Sequence, residues 1–284
     1  MPHVSFQRLR QLRRMFAVLQ AISPRLAARL AFAFFLTPAR RRLDSTDAPW
    51  LAAARNRIVE AGSDRTTVHE WGTGPRTVVI LHGWGSHAAR FAPLAQSLVA
   101  QGWHVLAIDA PGHGRSPGRR SSLPQFINAL DAVIQQLGPV QALIGHSLGA
   151  LAAVDWLGQS TAQGRVDIRH VVLISGPSGV PFLINNFVVM LGLNAATARH
   201  LLHRFTDRFH RQPDGWIAAA CAANIHVPVL LIHDRDDDVI PFAHAQQLLA
   251  ALPQARLLAT QGLGHSGSLR DAATIEQICR ELES

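Results

Sequence analysis

Apolar residues along the chain fall into two kinds of run. Short, predominantly apolar runs recur: "TVVIL" at 77–81, "HVLAI" at 104–108, "QALI" at 141–144, "VVLI" at 171–174, "VLLI" at 229–232 and "ARLLA" at 255–259. Four or five apolar residues without polar alternation mark a strand buried on both faces. Between these runs, apolar residues recur every three or four positions over 91–101, 123–137, 148–157, 243–251 and 271–281. That spacing gives a helix one apolar face. Strand alternating with helix predicts an α/β fold: a doubly wound, mostly parallel sheet with sites at the C-terminal ends of its strands. Ahead of this series, 50–55 reads as a short helix. Residues 57–61 and 66–71 read as two strands joined by the turn "GSDR".

Two stretches break the alternation. At the N-terminus, Leu9, Leu12, Phe16 and Leu19 form a helical stripe. Ser23 and Pro24 then cap a second helix, "RLAARLAFAFFL", which Pro38 stops. This apolar piece is too short to span a bilayer, and Arg25 and Arg29 interrupt it. The short, poorly defined apolar core of "MFAVLQAIS" also argues against a signal peptide. Later, residues 176–226 separate two core strands by far more than an ordinary connection, so they read as an insertion with its own helices. Its apolar "FLINNFVVMLGL" has the character of a lid or substrate pocket. The expected organisation is an N-terminal helical arm (1–48), a core (49–175 and 227–284) and a helical cap (176–226).

Composition sharpens this picture. Of 284 residues, 48% are hydrophobic and 16% charged, which favours a well-buried core over disorder. The net charge is +8, but it is concentrated: nine arginines precede the first acid, Asp44, and the rest of the chain is near neutral. The basic balance therefore gives no reason to expect nucleic-acid binding by the body. The arm either packs on the body or lies on an anionic membrane surface as a basic amphipathic segment. Cys221 and Cys279 are far apart in sequence and form neither a metal motif nor a disulfide framework. A cytoplasmic location is expected, with peripheral contact at the inner face of the membrane as the arm's second option.

Candidate chemistry lies at predicted strand ends. "GHSLG" (145–149) puts Ser147 between two glycines at a strand-to-helix turn, where backbone and helix approach too closely for side chains. "LHGWGSH" (81–87), "LIHDRDDDVIP" (231–241) and "GLGHSG" (262–267) follow three other strands. A serine hydroxyl is a weak nucleophile and needs an adjacent base. Histidine titrates near the working pH, and a carboxylate fixes its tautomer and steadies the imidazolium. Backbone N–H groups then hold the oxyanion. The spaced aspartates of 234–238 do not make a calcium loop, because Val239 replaces the loop glycine and Ala245 the final glutamate.

Together with "DAPGHGRS" (109–116), these motifs resemble the α/β-hydrolase family from about residue 57 to the C-terminus. The resemblance implies Ser147 as nucleophile and His265 as base. In similar sequences the acid stands four residues before the proline of its turn, so Pro241 selects Asp237, with Asp236 as the fallback. It also implies an oxyanion hole from the backbone N–H groups of Trp84 and Leu148, and a loop-bracing role for Asp109. His82 and His146 are expected to brace their own turns. The expected activity is hydrolysis of a small-molecule carboxylic ester with an apolar acyl group, without metal or organic cofactor. Thioester, amide or carbon–carbon hydrolysis and acyl transfer remain open on the same triad, as does a non-catalytic binding role. Serine at the turn argues against the branches whose nucleophile is aspartate.

Overall fold

The computed structural model describes residues 6–162 and 168–283. Two helices open the chain, α1 (Phe6–Ile22) and α2 (Pro24–Phe35), followed by the short α3 (Ala48–Ala52). The core then runs β1 (Arg55–Ala61), β2 (Asp64–Trp71), β3 (Arg76–Leu81), α4 (Ala92–Ala100), β4 (Trp103–Asp109), α5 (Leu123–Leu137), β5 (Ala142–His146), α6 (Leu148–Ala162) and β6 (His170–Ile174). Helices α7 (Val180–Leu191), α8 (Ala195–Phe209) and α9 (Ala218–Cys221) follow. The chain closes with β7 (Val229–Asp234), α10 (Ala243–Ala251), β8 (Ala255–Thr260), α11 (Gly264–Gly267) and α12 (Ala272–Glu281).

The eight strands form one sheet in the order β1-β2-β4-β3-β5-β6-β7-β8. The β1–β2 and β2–β4 pairs are antiparallel. All pairs from β4 onward are parallel, as the continuous apolar runs require. Val79, Leu81, Leu106 and Leu143 pack on one face with α5 and α6, and Val78, Ile80, Val105 and Ile144 on the other with α4 and α12.

Two local expectations are corrected. The helix expected at 50–55 starts earlier and ends at Ala52, because Pro49 sits in its first turn and Arg55 is already paired with Glu70 in the sheet. The expected "GSDR" turn is tighter: Ala61 pairs with Asp64, leaving Gly62, at φ +64°, and Ser63 to turn the chain.

The arm packs inward. Phe16, Ala27, Ala28 and Ala31 are fully buried. Phe35 lies edge-on against Phe187 at 5.1 Å and against Phe205 at 6.4 Å, and Phe32 meets Phe209 at 6.2 Å. Arg13 donates to the carbonyls of Met190 (2.9 Å) and Val189 (3.3 Å), and Gln20 bonds the backbone at Gly192 and Asn194. Phe187 in the apolar run of α7 is thus covered by the arm. No helix among the described residues is long and apolar enough to cross a membrane.

Candidate active site

Strand β5 ends at His146, and Ser147 turns the chain at φ +54°, a left-handed conformation that is strained for any residue with a Cβ. The glycines make this turn possible. A Cβ on Gly145 would lie 2.7 Å from the Ala150 Cα, and one on Gly149 would lie 2.3 Å from the Leu81 carbonyl oxygen. The Ser147 N–H donates to the Ile174 carbonyl, and its own carbonyl accepts from Ala150 and Leu151 in α6. The backbone is therefore pinned on both sides, and the hydroxyl stands clear of it.

His265 reaches this hydroxyl from α11, the single helical turn after β8. Its Nε2 lies 3.1 Å from Ser147 Oγ, and its Nδ1 lies 2.8 Å from Asp237 Oδ2. With Nδ1–H donating to the carboxylate, Nε2 is the free acceptor for the serine proton. Asp237 is buried, and its Oδ1 accepts from the N–H groups of Val239 and Ile240, each at 2.9 Å. Burial pushes this carboxyl's pKa up, but the His265 hydrogen bond and charge and the two N–H donors outweigh it, so the net shift is downward. The carboxylate is held ionised.

The competing aspartates serve the loop. Asp234 Oδ2 accepts from the Thr260 hydroxyl (2.7 Å) and the Leu263 N–H (3.0 Å), and its Oδ1 accepts from Asp236 N–H. Asp236 accepts from Gly262 N–H at 3.0 Å. Both fasten the approach to His265, and neither faces its ring. Among the described residues no group of three or more His, Cys, Asp or Glu could hold a metal ion.

The segment after β3 lies directly against the serine. A Cβ on Gly83 would sit 2.7 Å from Ser147 Cβ and 3.2 Å from Oγ, so only glycine allows this approach. Trp84 follows it, with its indole packed against His113 (5.3 Å) and Phe126 (6.4 Å). Leu148 is the first residue of α6, where N–H groups lack intrahelical acceptors. His82 braces its turn as expected: Nδ1–H donates to Gly83 O, and Nε2 accepts from Ala110 N–H. Asp109 is a brace too, accepting from Ala88 and Arg115 N–H and from the His69 ring.

His146 differs from expectation. Its Nε2 donates to the His265 carbonyl at 2.9 Å, so it steadies the histidine loop rather than its own turn. Burial, with the His265 charge adding to it, pushes its pKa well below the usual histidine range. His233 was absent from the sequence reading; its Nε2 donates to Ile240 O and lies 3.5 Å from Asp237 Oδ2. The segment joining the arm to the core is a second omission. Arg41 N–H donates to Gly85 O, and Leu36 O accepts from Ser121 N–H. Arg40 donates to the carbonyls of Gly112, Ser116 and Gly118. Asp47 pairs with Arg270 through both oxygens (2.7 and 2.6 Å). One strap thus fastens the segment after β3, the 110–121 loop and the chain beyond His265. Its bonds go largely to carbonyls, which leave no pattern in side-chain types.

The chain is similar in sequence and fold to known proteins. Residues 74–212 match the family described as serine aminopeptidase, S33, and residues 211–282 match that described as TAP-like protein. The chain is 29% identical over 229 residues to a pimeloyl-[acyl-carrier protein] methyl ester esterase of Chromobacterium violaceum, covering 67% of this chain and 87% of the relative. It is 26% identical over 243 residues to a 2-hydroxy-6-oxononadienedioate/2-hydroxy-6-oxononatrienedioate hydrolase of Pseudomonas putida, covering 69% and 84% respectively. An esterase structure from Exiguobacterium antarcticum superposes with a TM-score of 0.63 at 18% identity, over 81% of this chain and 100% of that one. The chain is a hydrolase and belongs to the α/β-hydrolase fold family.

Proposed function

We propose that this hydrolase cleaves carboxylic esters of small molecules through an acyl-enzyme. The observation that carries the reading is the unbroken relay from Ser147 Oγ through both ring nitrogens of His265 to the buried Asp237. Ser147 attacks the ester carbonyl while His265 Nε2 takes its proton. The N–H groups of Trp84 and Leu148 hold the oxyanion of the tetrahedral intermediate. His265 passes the proton to the departing alkoxide, leaving the acyl group on Ser147. Water then attacks, His265 takes its proton, and the acid leaves with the serine hydroxyl restored. Asp237 holds the ring's orientation and balances its charge throughout.

A fluorophosphonate probe tests the relay directly. The expected result is one adduct, mapped to Ser147 by mass spectrometry and absent from Ser147→Ala, whose ester turnover falls by about 10⁴-fold or more. Folded protein that takes no label overturns the reading. A panel of esters of graded acyl length, with a thioester, an amide and a 2-hydroxy-6-oxodienoate, reads the substrate class. Fastest turnover of an ester supports the proposal, and fastest turnover of another member replaces the substrate while keeping the triad.

A further inference from the structure

Helix α1 carries two adjacent apolar rows, one buried and one exposed. Leu12, Phe16 and Leu19 face the protein. Met15, Val18 and Ile22 face outward, and Leu26 in the first turn of α2 is exposed as well; Val18 is 63% and Ile22 75% exposed. Single exposed apolar residues are ordinary, but a row with helical spacing is not required by the fold. Val189 of α7 is also 62% exposed, and its carbonyl accepts from Arg13 of α1.

The surroundings of this row are basic. Arg14, Arg25 and Arg29 are exposed on the same two helices, and no acid occurs before Asp44. An apolar row rimmed by arginines matches the layered chemistry of an anionic bilayer surface. The aliphatic side chains enter the acyl boundary, and the guanidinium groups remain among the phosphates. A second copy of the chain would set like charges against each other across the row. A nucleic-acid backbone would meet the arginines but leave Val18 and Ile22 against water.

We infer that the outward face of α1 and the start of α2 is a docking surface for anionic lipid, which holds the hydrolase at a membrane by its N-terminal arm. The inward face packs on α7 and α8 at the same time, so docking needs no unfolding of the arm.

The test is sedimentation of the full chain with phosphatidylcholine vesicles, with and without phosphatidylglycerol. Expected is binding to the anionic vesicles only, weakening as salt is raised. Val18→Asp with Ile22→Asp abolishes it, and Arg14→Gln with Arg25→Gln lowers it by about 25-fold, or fivefold per arginine. All variants keep wild-type turnover of a soluble ester, because none of these residues touches the site. Failure to sediment, equal binding to neutral vesicles, or undiminished binding by the arginine pair overturns the inference. So does a solution mass showing a dimer that Val18→Asp with Ile22→Asp splits.

Discussion

At the C-terminal edge of the sheet, Ser147, His265 and Asp237 are each fixed by named hydrogen bonds, and the glycines around them leave no space for alternatives. The N-terminal arm meets α7 and α8 differently. Phe32 and Phe35 rest on three other phenylalanines, a contact of shape and area with few directional bonds. A hydrogen-bonded relay fails when one atom changes, whereas an apolar contact weakens in proportion to what is removed. The two regions should therefore respond to substitution in opposite ways. One loses rate at little cost in stability, and the other loses stability at little cost in rate.

The largest effect should come from the acid. Asp237→Asn keeps the shape of the side chain but offers His265 the wrong tautomeric partner, so ester turnover falls by about 10⁴-fold. Asp236→Asn, which alters only the bond to Gly262, should leave turnover within a few-fold of wild type. Steady-state kinetics of the pair decides between them; equal losses would mean that the carboxylates act together.

Acid should erode the site region next. Burial lowers the His82 pKa to about 4 and the His113 pKa to about 3, and it lowers that of His146 as well. The folded state keeps these rings neutral, while the unfolded chain protonates them below about pH 6.5. Their contribution is complete above pH 6.5 and is lost progressively as pH falls toward 4. Asp237, whose pKa is depressed, adds a further loss below the ordinary carboxylate range. Urea titrations from pH 7 to about pH 4 should therefore give a falling unfolding free energy; a flat profile would contradict the neutral rings.

The smallest effect belongs to the arm. Phe35→Ala removes the ring between Phe187 and Phe205 and should cost about 2 kcal/mol, below the range for fully buried phenylalanine because Phe35 is partly exposed. Turnover of a soluble ester should stay near wild type, as read by thermal melting beside kinetics. A large loss of rate would show that the strap at 36–47 transmits the arm's position to the segment carrying Trp84.

What was legible in the sequence follows the same division. The parallel strands were readable because burial on both faces demands unbroken apolar runs. Ser147 and His265 were readable because their turns need glycine at fixed places. Asp237 was chosen among four aspartates only by its distance from Pro241, since all four share one short segment and nothing local marks which carboxyl meets the ring. The work of Asp234 and Asp236 on the chain at 260–263 depends on strand pairing about 26 residues away in sequence, which composition does not encode. The helix near residue 50 was displaced because the pairing of Arg55 with Glu70 outweighed local helical preference.

The bonds between arm and cap join residues 172 to 177 positions apart. During synthesis at about 5–20 residues per second, α1 and α2 would wait roughly 10–35 seconds for their partners to emerge. Throughout that interval both apolar rows of α1 are uncovered. The arm is thus made well before the helices that cover it, which makes it a segment dependent on what a nascent chain meets before its own fold is complete.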